Sequence, residues 1–163
     1  MKFSTTLDDF PYRDGDMVDL AVRIEKNEFR GEIKPSVQIR DIRFSGVDED
    51  NLFKSIKLYE KYRRREKLNV QEAKFITPSR EFLLGVFNFL KSYNVWTFDI
   101  ETMLVRTRCP VEKYCTMQVS VDILVELGLI KKESETLVFD GNGKKADLSQ
   151  SEILKFLNEM QGV

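Results

Sequence analysis

Cationic, amide and aromatic residues recur between positions 23 and 43 in a pattern that suits contact with a single nucleic-acid strand. The residues concerned are Arg23, Asn27, Phe29, Arg30, Arg40 and Arg43. Arginine side chains bind phosphates, and aromatic rings stack on bases with about 1–3 kcal/mol per stacked base. We therefore predict that these residues bind nucleic acid. A phenylalanine at a turn can equally cover the open end of a barrel, and the sequence leaves both uses of Phe29 open.

A second basic cluster consists of Arg63, Arg64 and Arg65, close to Tyr59 and Tyr62. One interpretation is a solvated helix end, where cations suit the negative end of the helix dipole. The other is a phosphate-binding patch in which the two tyrosines stack on bases. Under the second interpretation the three arginines are predicted to contact nucleic acid.

Groups that activate nucleophiles or hold metals are scarce in this sequence. The chain contains no histidine, and its two cysteines, Cys109 and Cys115, do not form a CxxC pair. Metal sites built on cysteine normally need further cysteine or histidine ligands, so we interpret both residues as reduced, structural thiols. A phosphate-binding Gly-x-x-x-x-Gly-Lys loop and a Gly-x-Ser-x-Gly elbow are also missing. This chain is therefore not expected to be an enzyme by itself or to hold a cofactor.

The first candidate residues lie on two segments with the alternation of β-strands. Residues 17–25 place apolar side chains on one face and polar ones on the other, and residues 36–44 again mix β-branched with charged residues. The apolar positions of the second segment change parity near Arg40-Asp41, and a β-bulge there would restore the phase. We predict a curved antiparallel hairpin with one face toward a core. Residues 2–7 alternate as well and predict a further short strand.

The rest of the chain has helical periodicity. We predict a connecting helix that runs from Asp48 to the basic cluster, with Asp48 or Asp50 as its N-cap. A short connection over 69–76, with one extended turn at 74–76, is expected next, and then a helix that begins with Thr77 as N-cap and Pro78 at its first position. Further helices over 98–107 and 116–127 precede two short strands, 129–132 and 136–139, and Ser149 opens a last helix. Helix, helix, helix, hairpin is the order of a winged helix. Trp96 is predicted to be a core anchor.

The helix over 116–126 would be the reading helix of a winged domain, yet its composition does not suit DNA. The positions expected to be exposed, Gln118, Ser120, Asp122 and Glu126, include no lysine or arginine. An acidic helix would oppose phosphate contacts, so we expect this region to bind a protein partner or to serve as a scaffold. The candidate partner-binding residues are Arg106, Arg108, Lys131 and Lys132.

Several segments together resemble the C-terminal part of RecJ-type single-stranded-DNA-specific exonucleases. Residues 15–19 (GDMVD), 27–31 (NEFRG) and 41–42 (DI) follow in the order found at the end of the OB-fold domain of that family. Later segments that agree with the family's C-terminal region are 58–64, 77–82, 125–130 and 145–148. The resemblance spans nearly the whole chain, although none of these segments is a catalytic signature.

The resemblance implies an α+β fold, in which a partial OB-like antiparallel β-sheet (1–47) is followed by a connecting helix and linker (48–76) and a mainly helical, winged-helix-like domain (77–163). The implied function is accessory: the region would help a 5′–3′ exonuclease of DNA repair and recombination to bind single-stranded DNA. Catalytic domains upstream would supply an Asp-His-His string and divalent cations, Mn or Mg. A docking module for the single-stranded-DNA-binding protein, whose tail is acidic, is the alternative. Because fewer strands are evident than the five of an OB barrel, we expect earlier strands to lie upstream.

Composition limits these expectations. The chain has 163 residues, of which 42% are hydrophobic and 33% charged, which is ordinary for a globular protein. No apolar run is long enough for a membrane span, so no membrane contact is expected and a cytoplasmic location is the default. A net charge of -1 offers no general attraction for polyanions, and any DNA contact must come from a local patch.

Overall fold

The computed structural model describes residues 10–29, 31–97, 99–141 and 147–162. The chain divides into two compact units, Met1–Val47 and Asp48–Val163. The strand expected over 2–7 and the segment 145–146 lie outside the described residues, as does Phe98 at the expected start of a helix. The described elements are mixed, with two small antiparallel sheets and several helices, so the chain has an α+β fold.

The first unit contains a long antiparallel hairpin of two strands, β1 (Val18–Phe29) and β2 (Glu32–Phe44). The register shifts between two neighbouring pairs: Ala21 lies opposite Asp41, but Val22 lies opposite Ile39. Arg40 is therefore an extra residue in β2, and the bulge predicted from the change of parity is confirmed. A bulge of this kind bends the strand and increases its twist.

The apolar face of this hairpin is exposed over most of its length. Near the open end, the Tyr12 hydroxyl donates a hydrogen bond to the Ile42 carbonyl at 2.6 Å, and the Tyr12 ring packs on that of Phe44. Farther along, Ile24 is 69% and Val37 60% exposed, although they lie opposite each other. The expectation that this face enters a core is not met among the described residues, because two strands alone have no second layer to cover them.

The described residues of the second unit form six α-helices and three short strands. In chain order these are α1 (Glu49–Arg63), α2 (Val70–Ile76), α3 (Arg80–Tyr93), β3 (Val95–Trp96), α4 (Ile100–Thr107), α5 (Tyr114–Glu126), β4 (Ile130–Glu133), β5 (Thr136–Phe139) and α6 (Glu152–Gln161). Single 3₁₀ turns, Val111–Lys113 and Leu148–Gln150, precede α5 and α6. The three strands form an antiparallel sheet in the order β3-β5-β4.

The segment expected to connect two domains is part of the second unit, since α1 and α2 both pack on α5. The expectation of a short connection over 69–76, with an extended turn at 74–76, is wrong, because Val70–Ile76 form α2. Asn69 and Glu72 form a capping box: the Asn69 side chain accepts from the Glu72 N–H at 2.9 Å, and the Glu72 carboxylate accepts from the Asn69 N–H at 2.8 Å. These bonds satisfy two N–H groups that a helix start leaves without partners.

The starts of α3 and α6 also differ from expectation, whereas the start of α1 does not. Asp48 caps α1 as predicted, accepting from the Asn51 N–H at 3.0 Å. The cap of α3 is Ser79, which accepts from the Phe82 N–H at 3.1 Å, whereas Thr77 ends α2. The cap of α6 is Ser151, because residues 148–150 form a 3₁₀ turn.

The core of the second unit surrounds α5. Met117, Val119 and Ile123 of this helix are fully buried, as are Met103 and Leu104 of α4. Trp96 is 1% exposed and meets the rings of Phe89 and Tyr93 edge-on, so the prediction of a core anchor is confirmed. Among the described helices, none is both long and apolar enough to cross a membrane.

Candidate nucleic-acid interface

Two of the hairpin arginines, Arg23 and Arg43, lie beside carboxylates. The Nε of Arg23 is 2.8 Å from Oε1 of Glu25, and the Nε of Arg43 is 3.4 Å from Oδ2 of Asp19. All four side chains lie on the polar face, the side of the hairpin opposite the apolar ladder. Because each cation has a neighbouring anion, this face is not a continuous basic strip.

The other predicted residues of the hairpin are spread along it. Arg40, the bulged residue, is exposed and has no ion pair with any described residue. Asn27 lies opposite Lys34, and Phe29 is the last residue of β1, opposite Glu32. Arg30 lies outside the described residues. The structure therefore does not gather the five described residues into one compact site.

The basic cluster at the end of α1 has an unusual backbone. The helix closes with two hydrogen bonds, from the Arg65 N–H to the Tyr62 carbonyl at 2.9 Å and from the Glu66 N–H to the Lys61 carbonyl at 3.1 Å. This is a Schellman motif, in which glycine usually occupies the left-handed position. Here Arg65 occupies it, with φ 55°. An arginine therefore stands where a side chain costs about 1–2 kcal/mol of backbone energy.

Beside this turn lies an open groove of about 720 Å³ between the end of α1 and the exposed side of α6. We call it the α1–α6 groove. It is lined by Tyr62, Arg63, Arg65, Glu126, Glu152, Ile153, Lys155, Phe156 and Glu159. Tyr62 is half-buried and Phe156 is exposed, so the groove offers aromatic surface next to cationic side chains.

Most charges in the groove already have partners. The carboxylate of Glu126 accepts from the N–H groups of Glu152 and Ile153 at 3.1 and 3.3 Å, and thereby caps the start of α6. Lys155 Nζ lies 2.6 Å from Oε1 of Glu152. Of the cationic groove residues in the described structure, Arg65 is the one with no ion pair. Arg65 is consequently the side chain most available to a phosphate.

Arg63 and Arg64 differ in their surroundings although they are neighbours. Arg63 lines the groove and lies 3.8 Å from Asp122. Arg64 does not line it; its guanidinium lies 3.6 Å from Glu60 and 3.9 Å from Glu66. The structure thus brings two of the three predicted arginines to one groove and leaves the third outside.

The two tyrosines of α1 also have separate roles. The Tyr59 hydroxyl donates to Oδ2 of Asp122 at 3.0 Å, and the rings of Tyr59 and Tyr62 lie 6.0 Å apart. The pKa values of both tyrosines are raised, mainly by burial and secondly by the nearby Asp122 charge. The pKa of Tyr62 rises to about 12. Burial also raises the pKa of the Asp122 carboxyl. Tyr59 is held by the fold, so Tyr62 is the tyrosine available for stacking.

The helix considered as a reading helix, α5, is covered on most sides. Ser120, expected to be exposed, is fully buried and donates to the Thr116 carbonyl at 2.7 Å. The Thr116 hydroxyl in turn donates to the Phe75 carbonyl of α2 at 3.1 Å. With α1 and α2 packed against it, α5 is not free to enter a major groove. The expectation of an exposed Ser120 is wrong, and the neighbouring Thr116 shows that α2 packs against α5 at this point.

The residues predicted to bind a partner lie on two elements. Arg106 is half-buried on α4, and Arg108 follows the end of α4 with φ 55°. Lys131 and Lys132 are exposed on β4, and Lys131 Nζ lies 3.2 Å from Asp140. The arginine pair thus belongs to the end of α4 and the lysine pair to β4.

Within the described ranges, no three His, Cys, Asp or Glu side chains are close enough together to hold a metal ion. Comparison with known proteins adds no assignment: no family model, no curated protein and no solved structure matches this chain.

The sequence pattern indicated Arg63, Arg65 and Tyr62 of the α1–α6 groove, but it gave no sign of Lys155 and Phe156 of α6. Their approach to α1 depends on tertiary packing and leaves no local signal in the sequence.

Proposed function

We propose that this chain is an accessory, non-catalytic region of a RecJ-type single-stranded-DNA-specific 5′–3′ exonuclease and helps to bind the single strand. The observation that carries the proposal is the α1–α6 groove, which places Arg63 and Arg65 beside Tyr62 and Phe156. Cations next to aromatic faces are the general means of binding a single strand without reading its sequence. The exonuclease family in this proposal comes from the sequence segments that resemble it and not from the groove.

The proposal includes a finer description of the fold. A bulged, twisted hairpin such as β1–β2 is suited to the curved sheet of an OB barrel. The order α3, β3, α4, α5, β4, β5, with sheet order β3-β5-β4, is typical of a winged helix. We infer that the first unit is OB-like and the second winged-helix-like, with α1, α2 and α6 added around it.

Single-stranded rather than duplex DNA is the substrate that the site favours. The burial of α5 removes the helix that a winged domain would insert into a major groove. The α1–α6 groove sets two arginines and two aromatic rings among three glutamates, so it suits contact with only a few nucleotides of an unpaired strand, chiefly through Arg65. In the proposed parent enzyme, cytoplasmic catalytic domains upstream would cleave the strand with Mn or Mg.

The alternative is a docking module for an acidic protein tail, such as that of the single-stranded-DNA-binding protein. Arg108 favours it, because this exposed arginine also occupies a left-handed position where glycine is usual. Lys131 and Lys132 would be the second contact point. In this reading the α1–α6 groove has no ligand, and charge changes on α4 and β4 affect binding instead.

Fluorescence anisotropy separates the two functions. The chain is titrated against a labelled dT oligonucleotide and, separately, against a labelled acidic peptide, each at low and at physiological salt. We expect weak, salt-sensitive oligonucleotide binding, with a slope of log K against log salt of about -1.4 for two phosphate contacts. Peptide binding that exceeds oligonucleotide binding, in a sample shown to be folded, contradicts the proposal and supports docking.

A further inference from the structure

A carboxylate that does not line the α1–α6 groove lies next to one of its arginines. Asp122 of α5 has 16% of its side chain exposed, whereas Arg63, which lines the groove, has 62%. Nη1 of Arg63 lies 3.8 Å from Oδ1 of Asp122. A largely buried anion is therefore beside one of the two arginines that the groove offers to a strand.

The contact between Arg63 and Asp122 acts through charge. A separation of 3.8 Å is longer than an N–H···O hydrogen bond, so the contact does not fix the orientation of the guanidinium. The carboxylate itself is held in place, because its Oδ2 accepts from the Tyr59 hydroxyl at 3.0 Å. Arg63 is thus able to turn toward a ligand, while the fixed charge of Asp122 attracts it back.

Among the described residues, the titratable groups that face Asp122 come from three elements. They are Tyr59, Tyr62 and Arg63 of α1, Lys132 of β4 and Cys115 of α5 itself. Burial raises the pKa of the Asp122 carboxyl, while the Tyr59 hydrogen bond and the charges of Arg63 and Lys132 lower it. Because burial has the larger effect, Asp122 becomes neutral at a higher pH than an ordinary aspartate does.

We propose that ionised Asp122 restrains single-strand binding at the α1–α6 groove by competing with phosphate for Arg63, and that neutral Asp122 releases this arginine to the strand. The inference rests on the proposed function, because it concerns the regulation of the same groove. A guanidinium beside a carboxylate attracts a phosphate less than one without such a neighbour. Affinity for the strand is therefore expected to rise as the pH is lowered through the pKa of Asp122.

Neutralising Asp122 at constant pH tests the competition. D122N keeps an oxygen for the Tyr59 hydrogen bond but removes the charge. The dissociation constant for a labelled dT oligonucleotide, measured by anisotropy at low salt, should fall by about two- to five-fold. The matched control, D50N, makes the same change of net charge about 20 Å from Arg63 along α1 and should stay close to wild type. Equal gains in D122N and D50N, or weaker binding by D122N, overturn the proposal.

The substitution R63Q tests whether Asp122 acts through Arg63. In an R63Q background, D122N should change the dissociation constant no more than D50N does, because the arginine that Asp122 attracts is gone. A gain from D122N that persists in R63Q shows a general charge effect and overturns the proposal.

A pH series tests the same inference without a change at Asp122. Wild-type and R63Q chains, each shown to be folded, are titrated with the dT oligonucleotide from neutral pH toward the ordinary carboxyl range, where thymine gains no proton. Carboxylates of the groove become neutral in both chains, so the ratio of the two dissociation constants reports on Arg63. This ratio should increasingly favour wild type on acidification, and a constant ratio overturns the proposal. No binding by folded wild type and D122N alike would instead refute the proposed function, and this inference with it.

Discussion

At the scale of single residues, Arg65 is the clearest case of a side chain that does not suit its backbone conformation. It occupies the left-handed position of a Schellman motif, lines the α1–α6 groove and has no ion pair among the described residues. Residues held in sparsely populated backbone conformations cluster at functional sites. The proposed single-strand site would give this arginine a use that the stability of α1 does not.

Replacing Arg65 by glycine tests this conflict. R65G removes the side chain that opposes the left-handed conformation, so we expect the free energy of unfolding to rise by about 1 kcal/mol. R64G is the matched control, because Arg64 has φ -79° and gains nothing from glycine. Its free energy of unfolding should fall by about 0.5–1 kcal/mol. Chemical denaturation measures both, and a loss of stability in R65G would contradict this reading of the turn.

Asp122 gives the second unit a pH dependence whose sign follows from its surroundings. Burial raises the pKa of this carboxyl above its ordinary value of 3.8, against the Tyr59 hydrogen bond and the Arg63 charge, which lower it. The folded state then binds the proton more tightly than the unfolded state. Stability consequently falls as pH rises from 3.8 through the raised pKa, and rises as pH is lowered through the same interval.

The substitution D122N should remove this dependence. An asparagine oxygen can still accept the Tyr59 hydrogen bond, but it carries no charge to desolvate. As the pH is lowered through the raised pKa of Asp122 toward 3.8, the free energy of unfolding of the wild-type chain should rise, and that of D122N should rise less. D50N changes an exposed aspartate of α1 and should follow the wild type. Thermal unfolding over a pH series gives the comparison, and parallel curves for D122N and wild type would count against the assignment.

At the scale of elements, the sequence predicts best where a pattern is local. The change of parity in 36–44 located the bulge at Arg40, and helical periodicity located α1 and α3. The paired strands β4 and β5 also lie where the sequence placed them. In each case the signal is a repeat of two or 3.6 residues along one short segment, so no tertiary information was needed.

The sequence predicts less where packing decides. α2 has seven residues, too few for a clear period, and its capping box of Asn69 and Glu72 was the available signal. The α1–α6 groove joins residues about ninety positions apart, and no local pattern records that contact. The burial of Ser120 on α5 was missed for the same reason, because the packing of α2 against the neighbouring Thr116 leaves no local pattern.

Ser55 joins two of these elements and allows a direct test of their packing. Its buried hydroxyl accepts from the Cys115 N–H at 2.9 Å and donates to the Glu112 carbonyl at 2.8 Å, so a residue of α1 caps the start of α5. S55A leaves both backbone groups without this partner, and we expect a loss of about 1–3 kcal/mol in the free energy of unfolding.

The matched control for S55A is S92A. The Ser92 hydroxyl also donates to a backbone carbonyl, that of Phe89, but it is exposed and water can replace it. Its effect should stay within about 0.5 kcal/mol. Similar denaturation midpoints for S55A and S92A would show that α1 does not stabilise α5 through this bond.

At the scale of the whole molecule, the small net charge means that any binding of DNA depends on a local patch of the surface. A net charge of -1 gives no long-range attraction for DNA, and Arg23 and Arg43 of the hairpin stand beside carboxylates. Affinity for a single strand must then come from a few contacts, which makes it weak and sensitive to single substitutions. The α1–α6 groove is where the described structure concentrates such contacts.

The measurement that tests this account most directly is oligonucleotide anisotropy with the charge reversals R65E and R64E, at low and physiological salt. The two arginines are adjacent, but only Arg65 lines the α1–α6 groove. We predict that R65E weakens dT binding and makes the salt slope shallower by about 0.7, the loss of one phosphate contact, while R64E stays close to wild type. Equal effects of the two variants, or no binding by the folded wild-type chain, would contradict a single-strand site in this groove.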